Sequence, residues 1–265
     1  MLRALGVLCL ALLLGTHAVR GETIRMGGTG TVLALMRALA APFERHSPAD
    51  RLDITPGLGS SGAISAASQG VLDIAFSARA LQAREQAAGL AETPFLETPF
   101  LFVSSASVQL RLSCAEVLAI YSGQMFTFPG GEVARLILRP RDDSTTKHMS
   151  ANIEGMKEAM AKARLRPDIP VAPNDQDNME LAHRMPGAFT AMTLTQLSME
   201  PNTLRPVILD GVEPSLDATR TGAYPHKQTI SLVFKAEPSP GVRRFLAFLA
   251  TDEAAALITR AGGVR

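Results

Sequence analysis

The stretch Gly27–Leu39, "GGTGTVLALMRAL", places small residues between an apolar strand and an amphipathic helix. Thr23–Gly28 predicts a short strand, and Thr31–His46 carries apolar residues at helical spacing. The glycines expose backbone N–H groups at the start of that helix, where such groups lack partners inside the helix. The stretch therefore predicts either a plain turn with a helix cap or an anion-binding site.

The same strand and helix pattern continues along the chain. "RLDITPGLG" (51–59) predicts a second strand, and Ser61–Gln69 predicts a short helix that stops before a glycine. Val71–Ala78 predicts a third strand. This alternation argues for an α/β fold in which helices cover a parallel sheet.

The later part of the chain predicts further helices and strands. Ser113 and Glu116 have the spacing of a capping box at the start of a helix. We expect a strand at Ala134–Arg139 and a polar loop with a helix cap at Asn174–Asn178. Spacing also predicts one long helix that ends near Arg164, with four buried apolar residues on one face: Met149, Ile153, Met156 and Met160.

The N-terminus predicts export. Residues 1–21 have a basic start, a short apolar run and a small residue at the end, the pattern of a secretory signal peptide. Cleavage after Ala18 or Gly21 is compatible with it, and an uncleaved anchor is the alternative. We therefore expect a periplasmic protein, in which only Cys114 remains and no intrachain disulfide can form.

Three turns at helix starts combine small residues with hydroxyl groups, which is the usual composition of an oxyanion site. Two arginines at strand ends, Arg79 and Arg139, can add a guanidinium to such a site. The same hydroxyl residues are also common helix caps, so the capping interpretation stays open. The candidate residues are Thr29, Gly30 and Thr31; Ser60 and Ser61; Ser77 and Arg79; and Arg139, Ser144, Thr145 and Thr146.

Other classes of function lack their patterns. The mature histidines have no metal-binding spacing, and the serines at 60 and 61 do not form a G-x-S-x-G motif. No dinucleotide or P-loop fingerprint is present, and the low net charge of +1 disfavours nucleic-acid binding. We expect no enzyme, no metal and no cofactor. The alternative is a secreted hydrolase that uses Ser60 or Ser61.

Several stretches, taken in order, resemble the phosphate-binding components of bacterial ABC transporters. The first turn and helix resemble the family's opening, and "DDSTT" (142–146) lies where the family has S-G-T at a helix start. The other similar stretches are "GLGSSGAISAASQGVLDIAFSARAL" (57–81), "LSCAEVLAIYSGQMF" (112–126) and "GVEPSLDATRTGAYPHKQTISLVFK" (211–235).

The resemblance implies a two-lobed periplasmic binding protein fold of type II with the ligand in the cleft. One lobe would comprise residues 22–102 with 224–265, and the other residues 103–223. The implied ligand is phosphate or a similar oxyanion, the implied partner is an ABC permease, and we expect a monomer. The implied anion contacts are Thr29, Thr31, Ser60, Ser77, Arg79, Arg139, Ser144 and Thr146.

The chain also departs from the family's pattern. Ala78 stands where many members have an aspartate that accepts a proton from phosphate, and Thr145 replaces a glycine. Asp142 and Asp143 either replace the lost acceptor or repel a phosphate. The altered third turn leaves a second role open, that of an extracytoplasmic sensor or accessory protein with another ligand or a protein partner.

Overall fold

The computed structural model describes residues 21–265, in which strands and helices alternate. The strands are β1 (Thr23–Gly28), β2 (Arg51–Thr55), β3 (Ile74–Ser77), β4 (Leu90–Ser104), β5 (Arg111–Leu112), β6 (Arg135–Leu136), β7 (Ala188–Thr193), β8 (Arg205–Pro206), β9 (Ile208–Leu209) and β10 (Lys227–Lys235). The helices are α1 (Leu33–His46), α2 (Gly59–Ser68), α3 (Ala83–Ala87), α4 (Cys114–Ser122), α5 (Ser144–Asn152), α6 (Met156–Ala163), α7 (Asp175–Arg184), α8 (Leu194–Met199), α9 (Leu216–Arg220), α10 (Pro240–Leu249) and α11 (Asp252–Arg260).

Eight strands of the described chain form one mixed sheet. Their order is β2-β1-β3-β10-β4-β7-β6, with β8 beside β4, while β5 and β9 form a separate pair. The first three strands are parallel, as the sequence predicts. Strand β10 runs antiparallel to both of its neighbours and joins this parallel group to β4.

Strand β4 belongs to two regions of the sheet. Its residues from Leu90 to Pro99 pair with β10, and those from Phe100 to Ser104 pair with β7. Separate apolar cores lie on the two sides of this change of partner. We call the part around the core of Met26 and Phe245 the first lobe, and the part around the core of Phe102 and Phe189 the second lobe. The predicted boundaries at 102/103 and 223/224 stay predictions.

The end of each predicted helix depends on local backbone chemistry. The capping box at α4 is confirmed, because Ser113 Oγ accepts from the Glu116 N–H and Glu116 accepts from the Ser113 N–H.

The prediction of one long helix up to Arg164 is wrong: α5 ends at Asn152 and α6 begins at Met156. Gly155 adopts a φ of 77° between them, in the left-handed region that favours glycine. The four apolar residues are nevertheless buried on both sides of this break.

The predicted signal peptide lies outside the described residues except for Gly21. Within residues 21–265, no helix combines the length and apolar character needed to cross a bilayer.

Candidate functional site

A polar cavity of about 190 Å³ lies between elements of the two lobes. The first lobe contributes Gly30, the start of α2 and Arg79, and the second contributes the start of α5 and the start of α7. All three predicted turns therefore reach one cavity. Of the predicted site residues, Gly30, Ser60, Ser61, Arg79, Arg139 and Ser144 line it, whereas Thr29, Thr31, Ser77, Thr145 and Thr146 do not.

The start of α2 offers backbone donors to this cavity. Its N-cap residue, Leu58, has no side chain that could accept from the first amide groups of the helix. The two serine hydroxyls that follow are already engaged. Ser60 Oγ accepts from the Ala78 N–H at 3.0 Å, and Ser61 Oγ accepts from Arg79 Nε at 3.1 Å. Uncapped amides and the helix dipole thus make this end of α2 attractive to an anion.

Arg139 is the buried cation of the cavity, with a side chain only 3% exposed. Its Nη2 lies 2.7 Å from Asp143 Oδ2 and 3.3 Å from Asp175 Oδ1. Burial would lower the pKa of the guanidinium, but Asp175 and Asp143 outweigh that effect and raise its pKa above the usual value. The Nη1 atom is buried and has no hydrogen-bond partner among residues 21–265. The side chain therefore keeps its charge and has an unused donor.

Asp175 is a residue of the site that the sequence patterns did not indicate. It begins α7 directly after Asn174, which caps that helix by accepting from the Asp177 N–H. The prediction of a polar loop over Asn174–Asn178 is therefore wrong beyond the cap, because Asp175–Asn178 form the first turn of α7. Asp175 is 8% exposed, and its Oδ2 accepts from Thr29 Oγ1 at 3.1 Å. Burial raises the pKa of this carboxyl, although Arg139 opposes the shift. The only local signal was an acidic residue at a helix start, which is also what a plain helix N-terminus favours.

The first turn packs closely against α7. A side chain at Gly30 would place its Cβ 2.4 Å from Gln176 Oε1 and 2.5 Å from Asp175 Cβ. Gln176 Nε2 also donates to the Gly30 carbonyl at 3.2 Å. Glycine is therefore required at position 30, because α7 of the second lobe leaves no space there for a side chain.

Arg79 lies at the edge of the cavity in a fixed geometry. Two of its nitrogens donate to the Glu85 carboxylate at 2.9 and 2.8 Å. Glu85 also caps α3, so the guanidinium is tied to a helix start. Ser77 stabilises the same turn, because its Oγ donates to the Arg79 carbonyl and accepts from the Arg79 N–H. The charge of Arg79 is thus balanced by Glu85 before any ligand arrives.

Two of the three hydroxyl residues of the third turn are buried in the structure of α5, and only Ser144 lines the cavity. Asp143 caps α5 by accepting from the Thr145 N–H at 2.9 Å. The hydroxyl of Thr146 donates to the Arg139 carbonyl at 3.3 Å, and both threonines are buried. Ser144 lines the cavity, and so does Asp142, which is exposed. No hydrogen bond or ion pair joins the Asp142 carboxylate to another residue in the described range.

The cavity is close to electrically balanced. The cationic side chains that line it are Arg79, Arg139 and Lys147, and the anionic ones are Asp142, Asp143 and Asp175. Residues 21–265 contain no group of three or more His, Cys, Asp or Glu side chains placed to hold a metal ion. The arrangement can therefore bind a small anion through directed hydrogen bonds, without a large positive field.

A polar cavity between two α/β lobes is the architecture of a solute-binding protein. A protein-family model described as a PBP superfamily domain matches residues 15–253. The chain belongs to this superfamily of periplasmic binding proteins. The predicted two-lobed α/β fold class and the predicted resemblance are confirmed.

Several solved structures share the fold. One is described as a phosphate ABC transporter substrate-binding protein with bound phosphate from Clostridium perfringens; it has a TM-score of 0.80 and 19% identity, and the match covers 92% of this chain and 99% of that one. An ABC-type phosphate transport receptor from Vibrio cholerae has a TM-score of 0.65 and 18% identity, and the match covers 91% of this chain and 99% of that one. The BenM effector binding domain with its effector benzoate has a TM-score of 0.54 and 14% identity, and the match covers 86% of this chain and 90% of that one. No curated protein sequence matches this chain.

Membership of the superfamily makes this chain a binding protein and not an enzyme. The hydrolase alternative also lacks support in the geometry. Both candidate nucleophiles, Ser60 and Ser61, accept hydrogen bonds from Ala78 and Arg79, and the lining residues of the cavity include no histidine in the described chain. A serine nucleophile needs a base within hydrogen-bond reach.

We predict that Gly30→Ala disrupts the contact between the lobes. The added Cβ overlaps Gln176 and Asp175, so the free energy of unfolding should fall by about 1–3 kcal/mol. Gly62→Ala is the matched control, because Gly62 lines the same cavity inside α2 and its added Cβ meets only Leu58 Cβ at 3.9 Å. Its stability should stay equal or rise by up to about 1 kcal/mol. Urea unfolding measures both, and equal stability of the two variants would contradict the described contact.

Proposed function

We propose that this protein is an exported solute-binding protein that captures phosphate or a similar small oxyanion and delivers it to an ABC transporter. The observation that carries the proposal is that two elements line one cavity: the buried cation Arg139, whose Nη1 has no partner among residues 21–265, and the uncapped start of α2. A buried donor without a partner is rare in folded proteins, and an anion bound in the cavity would supply the missing acceptor.

The donor set suits an oxyanion. Its oxygens can accept from Arg139 Nη1, from the first amide groups of α2 and from the hydroxyl of Ser144. Hydrogen bonds to charged groups contribute about 1.5–3 kcal/mol each, and micromolar affinity needs about 8 kcal/mol. Four or five such bonds contribute about 6–15 kcal/mol, and the upper part of this range reaches micromolar affinity after the entropy of association is subtracted. Lys147 at the rim would add long-range attraction.

The similar structures support the same ligand class. The Clostridium perfringens protein is described with bound phosphate, and the Vibrio cholerae protein as a phosphate transport receptor. Their identity to this chain is low, so they support the proposal through the fold. Export rests on the N-terminal pattern of residues 1–21, and the ABC permease, the monomeric state and the periplasmic location are parts of this proposal.

We predict that the purified protein binds phosphate in isothermal titration calorimetry, with a dissociation constant in the micromolar range or below. Arg139→Gln should weaken binding at least about tenfold, because one charge-assisted hydrogen bond is lost. Arg141→Gln is the matched control, since Arg141 is exposed two residues away and does not line the cavity. It should change the affinity less than about twofold, in line with a screened surface charge.

Arg139→Gln also leaves Asp143 and Asp175 without their cation, which can unfold the protein. Lys147→Met therefore serves as a second variant, because Lys147 lines the cavity and is exposed. It should weaken phosphate binding about threefold at low salt and less at high salt. Absence of heat with phosphate, arsenate and sulfate in the wild-type protein would reject the oxyanion function.

Asp142 is the acceptor that we propose for the proton of phosphate. It lines the cavity, and the other two carboxylates there are engaged with Arg139, Thr145 and Thr29. Phosphate keeps at least one proton near neutral pH, whereas sulfate has none to donate. A free carboxylate therefore attracts the first anion through a hydrogen bond and repels the second.

We predict that phosphate binds at least about tenfold more tightly than sulfate, the effect of one charge-assisted hydrogen bond. Asp142→Asn should reduce this ratio to less than about threefold, because the amide no longer repels sulfate. Asp217→Asn, an exposed position on α9, should leave the ratio unchanged. Competition titrations with both anions measure the ratio, and an unchanged ratio in Asp142→Asn would assign the acceptor role elsewhere.

A further inference from the structure

The carboxylate of Asp175 lies where the first turn could hold an anion. Thr29 Oγ1 donates to its Oδ2 at 3.1 Å, and Arg139 Nη2 lies 3.3 Å from its Oδ1. A Cβ built on Gly30 would be 2.8 Å from Oδ2, which shows how closely the carboxylate approaches the turn. Hydroxyl, guanidinium and the start of a helix are the groups that bind an external oxyanion.

The position of Asp175 is fixed from both lobes. Gln196 Nε2 donates to its backbone carbonyl at 2.9 Å, which holds the start of α7 within the second lobe. The neighbouring Gln176 donates to the Gly30 carbonyl of the first lobe. The carboxylate thus bridges the lobes at the edge of the cavity, and this bridge forms entirely from groups of the chain itself.

We infer that Asp175 acts as an internal anion, which occupies the first turn and lowers the affinity of the cavity for an external anion. This inference rests on the proposed oxyanion-binding function and deepens it. An incoming anion shares Arg139 with Asp143 and Asp175, so like charges face each other across one guanidinium. The first turn becomes available to a ligand oxygen only when the Asp175 carboxylate is displaced or neutralised.

Removal of the Asp175 charge should strengthen binding, which is an unusual result for a residue of a binding site. The substitution removes one negative charge from beside Arg139, so that an incoming anion no longer faces it. Asparagine is the suitable replacement, since its amide oxygen can still accept from Thr29 and its size matches aspartate. The contact between Thr29 and residue 175, which joins the lobes, therefore remains, while the repulsion between the Asp175 carboxylate and the incoming anion is lost.

The test is calorimetry of inorganic phosphate with the wild-type protein and Asp175→Asn. We expect Asp175→Asn to bind about tenfold more tightly, which corresponds to about 1.4 kcal/mol. The matched control is Glu180→Gln, which removes the same charge from an exposed position of the same helix. The control should bind as the wild type does within about twofold. Asp175→Ser is the second variant if Asp175→Asn does not fold, because serine removes the charge with a smaller polar side chain.

The possible outcomes separate this inference from the proposed function. Tighter binding by Asp175→Asn than by the wild type supports the inference. Equal or weaker binding by the folded variant, beside clear binding by the wild type, overturns the inference and leaves the proposed function intact. Absence of binding by both proteins, at millimolar phosphate, rejects the inference and the proposed function together.

Discussion

The burial of the Arg139 guanidinium is the constraint that shapes the whole site. A charge that is 3% exposed is tolerated only when anions or acceptors surround it. Asp143 at the start of α5 and Asp175 at the start of α7 meet this requirement from two directions. Their positions fix how those helices approach the first turn and α2, and so they define the cavity between the lobes.

The charge balance of the cavity sets the kind of ligand that the protein can hold. Arg79 is neutralised by Glu85, and Arg139 is shared by two carboxylates. Under the proposed function, recognition then depends on directed donors, namely the remaining Arg139 nitrogen and the uncapped amides of α2, more than on net positive charge. Under the proposed function, a site of this kind can distinguish anions by their shape and by the protons they carry, because the Asp142 carboxylate in the cavity can accept a hydrogen bond from a protonated anion.

The sequence predicted the elements whose signals are local. The first three strands, the helices between them and the capping box at Ser113 follow from spacing and cap chemistry within a few residues. One local signal was misleading: the apolar spacing from Met149 to Met160 suggested one helix, although Gly155 separates two helices that bury the same side chains. The spacing of apolar residues indicates which face of a helix is buried, but it does not reveal a short break in that helix.

The site was predictable only in part, for a related reason. Three hydroxyl turns and two arginines could be recognised from their places at strand and helix ends, and six of those residues line the cavity. The contact between Thr29 and Asp175 joins residues 146 positions apart, so no local pattern reveals it. The engagement of Thr145 and Thr146 in the structure of α5 likewise depends on Asp143 and Arg139, whose orientation is a property of the folded chain.

A crystal structure of the protein grown with phosphate is the sharpest test of the role of Arg139. We predict tetrahedral density in the cavity, with one oxygen about 3 Å from Arg139 Nη1 and another at the first amides of α2. Phosphate bound away from Arg139 would contradict this role. A cavity that contains no phosphate, and in which Arg139 Nη1 donates to a group of the protein, would also contradict this role.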